Sequence, residues 1–267
     1  MDELKQALIK IIETLSSDDY PELHSLLTYY IENDEAYENL YDIATDIFNA
    51  DQTKVLPPNV SDFVISIYEK MIAEGSYDAA CDLGSLYYKG RFGKVDYKKA
   101  VYYYTIAADK GSRQAQENLG YCYYYGRDVE VDYKKAFHYF ALGAFDGHLN
   151  SLYKIGDMYR NGYYVEKNEM EAFRIYAHCF NTLTQKALSL IGADVMLRMG
   201  DCYYEGIGVE IDWDQAFDFY YHAESMYYER LQGGDYLIAG NYKKAITRQE
   251  EIRQKRNENL PDFNWVK

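Results

Sequence analysis

The 267-residue chain is 48% hydrophobic and 27% charged, enough apolar material for a sizeable core and too much for a disordered polymer. A formal net charge of −15 and a pI near 4.8 exclude a nonspecific nucleic-acid binder, which needs clustered Lys and Arg, and no apolar run is long enough to span a membrane. Only 4 Pro against 32 Tyr favours helices over a sandwich of short strands.

From the start of the chain, residues 1–15 lack the basic region and continuous apolar core of a signal peptide and read as an amphipathic helix, which points to a cytoplasmic protein. Residues 1–35 form an N-terminal helical cap, a pair of helices broken near Ser16 to Pro21. Residues 36–78 form a degenerate helical repeat, divided by Pro57-Pro58. Residues 1–60 carry thirteen acidic side chains against Lys5, Lys10 and Lys54, a net −10. That end reads either as a solvated surface or as a docking surface for a basic partner. Asn59-Val60-Ser61 matches a glycosylation acceptor, a match short enough to arise by chance.

A repeat of 36 residues follows. Leu83-Gly84-Ser85-Leu86-Tyr87-Tyr88-Lys89-Gly90 returns as Leu119-Gly120-Tyr121-Cys122-Tyr123-Tyr124-Tyr125-Gly126 and as Ile155-Gly156-Asp157-Met158-Tyr159-Arg160-Asn161-Gly162. A fourth copy, Met199 to Gly206, comes after 44. Asp96-Tyr97-Lys98-Lys99-Ala100 likewise returns at Asp132, at Asn168 and at Asp212. Leu and Tyr four apart share a helix face. The Gly between them costs about 1 kcal/mol of helix propensity relative to Ala, and its recurrence points to a neighbouring helix packed on bare backbone. Gly90, Gly126, Gly162 and Gly206 fall where a left-handed C-terminal cap is expected, and Asp96, Asp132, Asn168 and Asp212 where an N-cap is expected. Glu171 and Gln215 would complete capping boxes. Each copy is then a helical hairpin that buries its face only against its neighbours.

The repeats occupy 79–114, 115–150, 151–194 and 195–230. The third carries eight extra residues around Thr182 to Asp194, which either lengthen two helices or project as a loop. Residues 231–267 form a C-terminal capping helix, expected over Tyr236 to Asn257, and an aromatic tail, Pro261 to Trp265, that folds back or engages a partner. Residues 241–267 carry a net +3, and the opposite charge at the two ends permits weak self-association.

These copies resemble the Sel-one-like repeat (SLR), the 36-residue cousin of the tetratricopeptide repeat; the likeness is close at 79–104 and 115–140 and covers about 150 residues. The resemblance implies an all-α fold, one continuous right-handed α-solenoid superhelix of antiparallel helix pairs. It also implies an adaptor or scaffold role, with the first helix of each pair lining the concave side. Where similar proteins carry Gly-x-Gly-Val after that helix, only Gly206-Ile207-Gly208-Val209 conforms, so the loops are expected to differ in shape. Some secreted relatives tie each pair with two cysteines; no copy here has such a pair.

Catalytic chemistry finds little support. Gly90-Arg91-Phe92-Gly93-Lys94 lacks the upstream Gly and the Ser or Thr of a phosphate loop, and Gly206 to Ile211 lacks the third Gly of a dinucleotide fingerprint. Cys81, Cys122, Cys179 and Cys202 have no CxxC spacing and read as small core residues. His178 and His222 share one place in consecutive copies; a metal pair there has no third ligand, and structural or surface roles are the simpler reading. No cofactor or metal is expected.

The variable first-helix positions are the candidate partner-binding residues. They are Asp82, Ser85 and Tyr88; Glu117, Asn118, Tyr121, Tyr124 and Tyr125; Lys154, Asp157 and Arg160; and Arg198, Asp201 and Tyr204. Tyr and Arg offer large contact area with a polar handle and are frequent interface hot spots. The expected function is a non-enzymatic scaffold binding a protein or peptide on the concave face. The alternative is an immunity or inhibitor protein whose acidic region covers the basic site of a toxic enzyme. A hydrolase is the weakest reading.

Overall fold

The computed structural model describes residues 2–33, 40–50, 54–233 and 238–258. Among them are thirteen helices and no strand. They run α1 Asp2–Ile12, α2 Pro21–Glu32, α3 Leu40–Asn49, α4 Pro58–Ala73, α5 Tyr77–Lys89, α6 Tyr97–Asp109 and α7 Arg113–Tyr125. After these come α8 Tyr133–Phe145, α9 Leu149–Asn161, α10 Glu169–Asn181, α11 Gln185–Glu205, α12 Trp213–Gln232 and α13 Ala239–Glu258. Packing divides the chain into two compact units, 1–139 and 140–267, the boundary falling inside α8. Each is built from successive helical hairpins of the α-solenoid class. The aromatic tail from Pro261 to Trp265 lies outside the described residues.

The hairpins form where the caps place them. The Asp96 and Asp132 side chains accept the backbone N–H groups of Lys99 and Lys135 at 3.0 Å, Asn168 accepts that of Glu171, and Asp212 those of Asp214 and Gln215. Ser76 and Ser112 cap α5 and α7 in the same way. Gly90, Gly126, Gly162 and Gly206 all end first helices at φ between 67° and 77°. In every copy the N-cap's own N–H donates back to the carbonyl of the repeat tyrosine, Tyr87, Tyr123, Tyr159 or Tyr203, at 2.9–3.0 Å. That bond fixes the width of the hairpin.

The loops differ less than their sequences do. Asp128 and Tyr164, the counterparts of Gly208, keep its left-handed conformation at φ 54° and 65°. Only the first loop departs, with its second positive φ at Gly93. The eight extra residues lengthen helices: α11 has 21 residues against 13 in α5, α7 and α9, and α12 has 20.

The repeated Gly inside each first helix lies under a tyrosine ring. A Cβ at Gly84, Gly156 or Gly200 would stand 2.7, 2.6 or 2.8 Å from a ring carbon of Tyr104, Tyr176 or Tyr220 on the second helix of the same hairpin. A second aromatic layer stacks beside it. Tyr87 lies parallel to Tyr103 at 5.8 Å, Tyr123 to Tyr139 at 6.0 Å and Tyr203 to Phe219 at 5.8 Å. Much of the tyrosine excess is therefore core. The four cysteines are buried and free, and burial pushes each thiol up to about 12, which keeps them protonated and unreactive.

Candidate functional site

The fourteen candidate residues fall into two groups with different surroundings. In the unit formed by residues 140–267, the first-helix side chains are consumed by one another. Asp157 is buried and accepts Arg198 Nε at 2.6 Å and Nη2 at 2.7 Å, Lys154 Nζ at 3.1 Å and the Tyr176 hydroxyl at 2.8 Å. Burial opposes its ionisation, but the charges of Arg198 and Lys154 and these donors outweigh that cost and hold the carboxyl well below the usual range. One copy later Asp201 repeats the arrangement, accepting Lys244 at 2.6 Å and Arg160 and the Tyr220 hydroxyl at 2.8 Å. Its carboxyl is lowered for the same reasons, with Lys244 the largest favourable influence. Arg160 also reaches Glu205 at 2.9 Å, and the Tyr204 hydroxyl donates to Glu251 at 2.8 Å. On the extension of α11, Asp194 gathers Tyr227, Arg230 and Asn241. Lys154, Asp157 and Asp201 are thus buried, and Arg160, Arg198 and Tyr204 half-buried, within an internal network of ion pairs. Their polar groups are already directed at partners within the fold.

In the unit formed by residues 1–139 the picture is aromatic. Ser85, Asp82 and Glu117 serve the interior: the Tyr104 hydroxyl donates to Ser85 Oγ at 3.2 Å, the Tyr41 hydroxyl to Asp82 at 3.0 Å, and Glu117 is buried. Burial raises the Asp82 carboxyl above its ordinary value, partly offset by the Tyr41 hydroxyl. Between α5 and α7 opens a cleft of about 190 Å³ lined by Ser85, Tyr88, Lys89, Tyr104, Asn118 and Tyr121. Small-molecule sites usually run to about 300–1,000 Å³, so this notch suits one large side chain better than a cofactor.

Around the notch the rings continue. Tyr121 stacks on Tyr125 at 6.4 Å with planes 8° apart, Tyr125 meets Tyr124 edge-on at 4.8 Å, and Tyr124 meets Tyr133 at 5.7 Å. On the other side Tyr88 lies 5.1 Å from Tyr97. The Arg127 guanidinium closes the arc, 5.0 Å from the Tyr97 centroid and 5.7 Å from that of Tyr125. Burial raises the Tyr88 hydroxyl, and the positive charge of Arg127 partly offsets it.

The structure therefore brings together Tyr88, Asn118, Tyr121, Tyr124 and Tyr125 from the sequence expectation. Lys89, another variable first-helix position, joins them, and the structure adds the core residue Tyr104 and Tyr97, Arg127 and Tyr133, which variability along one helix could not reveal because they lie in or beyond the loops. One signal did exist: Arg127 sits in one of the three loops that depart from Gly-x-Gly-Val. His178 and His222 are both exposed, and no group of three metal-ligating side chains occurs among the described residues.

With this geometry in place, comparison with known proteins decides the family. The Sel1 repeat family model matches residues 78–112, 113–148, 149–177 and 193–228, just over half of the chain. The chain belongs to the Sel1 repeat family. Among solved structures, a Sel1 repeat protein from Oxalobacter formigenes is similar at 24% identity and TM-score 0.50, over 61% of this chain and 64% of that one. A protective antigen of uropathogenic Escherichia coli strains with an SLR fold is 22% identical at TM-score 0.49, over 92% of this chain and 56% of the antigen. The matches thus span less than two thirds of either structure's own length. No curated protein sequence matched. The Sel1 repeats place the chain among helical repeat scaffolds, and no helix of the described residues is long and apolar enough to cross a membrane.

Proposed function

We propose that this Sel1 repeat chain is a non-enzymatic scaffold that grips a segment of another protein on the first-helix surface of α5 and α7. The observation that carries the reading is the tyrosine-walled notch between those helices, continuous with the Tyr121, Tyr124 and Tyr125 rings. Tyrosines held against each other lose little further entropy on binding and bring both apolar area and a hydroxyl, which is the profile of an interface anchor. Of these rings Tyr125 is exposed to 47%. The partner is another protein or peptide, with no nucleic acid, cofactor or membrane required.

The test is affinity purification with mass spectrometry on the wild type and on a Tyr121→Ser, Tyr124→Ser, Tyr125→Ser variant, with circular dichroism confirming that both fold. The specifically enriched proteins should be lost from the variant. Recovery of the same proteins at the same yield would sink the assignment of this surface.

A further inference from the structure

Two arginines occupy the same place in successive loops, the residue after the capping glycine, and the chain treats them differently. Arg91 is buried, donates to the carbonyl of Ala50 at 2.9 Å and to that of Lys54, and so ties its loop to the preceding hairpin. Arg127 has no such receiver. Its guanidinium lies near the rings of Tyr97 and Tyr125 and pairs with the Tyr88 hydroxyl, its Nε is buried without a hydrogen-bond partner, as is that of Arg91, and no carboxylate among the described residues lies within ion-pair distance of it. In the 140–267 unit, by contrast, Arg160, Arg198, Arg230 and Arg248 each meet a carboxylate at 3.0 Å or less. A chain of net charge −15 has no shortage of carboxylates for Arg127, yet none among the described residues pairs with it.

Position adds to this. Arg127 is one ring away from the notch by two routes, through Tyr97 and Tyr88 on one side and through Tyr125 and Tyr121 on the other. Lys89, the one charged side chain lining the notch, is a second cation at its wall. The surface is therefore graded, with an aromatic socket at one end and, at the other, a ring-flanked guanidinium that no carboxylate among the described residues pairs with. The flanking rings and the Tyr88 hydroxyl restrain the guanidinium, and a guanidinium fork pairs bidentately with a carboxylate.

We propose that the bound segment is acidic: a large apolar side chain fills the notch, and an Asp or Glu a few residues away pairs with Arg127. This rests on the scaffold reading above and specifies its ligand. A side-chain carboxylate is the favoured anion because the grip is one restrained guanidinium beside apolar rings, without the cluster of cations that phosphate groups usually recruit.

The experiment uses the full-length protein and fluorescent nonapeptides on a glycine–serine background. Each carries one phenylalanine and, two to five positions away, an aspartate, a glutamine, a lysine or a phosphoserine. Binding is read by anisotropy and by the shift of the Arg127 Nε–H resonance. Aspartate peptides are expected to bind at least tenfold more tightly than glutamine or lysine peptides and to move that resonance. Arg127→Gln should remove the preference for aspartate, Arg127→Lys should retain part of it, and Tyr121→Ser should weaken all peptides alike. Equal binding of aspartate and glutamine peptides, an unmoved Arg127 resonance, or tenfold tighter binding of the phosphoserine peptide would each overturn the proposal. If the triple tyrosine variant still loses its captured proteins in those cases, the scaffold reading survives and only the acidic ligand fails.

Discussion

Replacing Asp157 with Asn tests whether the 140–267 unit depends on its buried charges. Asparagine keeps the volume and one acceptor oxygen, but it leaves Arg198 and Lys154 facing each other without a counter-charge. Both cations are largely buried, with side-chain exposures of 14% and 5%. Removing one partner of a buried pair costs about 3–5 kcal/mol, a large share of the roughly 5–15 kcal/mol that holds a domain. Tyr176→Phe removes only a hydrogen bond to the charged acceptor, worth about 1.5–3 kcal/mol. Urea unfolding at pH 7, followed by circular dichroism, ranks the two variants. Acid supplies an independent check. The folded-state carboxyl titrates far below its unfolded value of about 3.9, so its contribution is complete above about pH 5 and drains away as the unfolded chain takes up the proton first. Between pH 5 and pH 3 the wild type should lose about 1 kcal/mol more than Asp157→Asn. A cost below 1 kcal/mol at pH 7, or a gap that fails to narrow at pH 3, would refute the reasoning.

Gly156→Ala drives a methyl into the Tyr176 ring and should cost about 1–3 kcal/mol beyond any gain in helix propensity; equal or greater stability by thermal unfolding would show that the ring yields freely. Tyr164 holds a left-handed conformation while 55% exposed, so Tyr164→Gly should be neutral or stabilising by up to about 1 kcal/mol in the same assay. Gly208→Ala should do the reverse and destabilise, because its Cβ would collide with the backbone at Glu169. All four thiols should resist a thiol-specific reagent at pH 8 and titrate together only in denaturant; fast labelling of Cys81 would contradict its burial.

What the sequence disclosed follows from distance along the chain. Caps, left-handed glycines and hairpin width are set within about twenty residues, so Asp96, Gly90 and Tyr87 announce their roles directly. Stacking between copies is not legible along one helix. Asp157, Arg160, Arg198 and Asp201 vary between copies, and variation alone cannot separate a side chain that meets a partner from one that meets the next repeat. The separations held the missing information: Asp157 pairs with a residue 41 ahead, Asp201 with one 43 ahead and Glu205 with one 43 ahead. These are about one 44-residue period, so opposite charges spaced by nearly a period are a readable sign of internal pairing. The aromatic arc escaped for another reason. It joins helix residues to Tyr97 and Arg127, which no helical periodicity connects.

The same comparison explains why the second copy stands out. Tyr104, Tyr176 and Tyr220 place a hydroxyl under the first helix, and Ser85, Asp157 and Asp201 supply the acceptor. At the equivalent positions of the second copy stand Phe140 and Tyr121. In sequence the second copy therefore lacks both the repeated second-helix hydroxyl and the short first-helix acceptor at position 121. An aromatic ring occupies it and extends a surface instead of satisfying a core. The exchange of a tyrosine for a phenylalanine together with the lost acceptor singles out the second copy in the sequence, the copy whose loop carries Arg127.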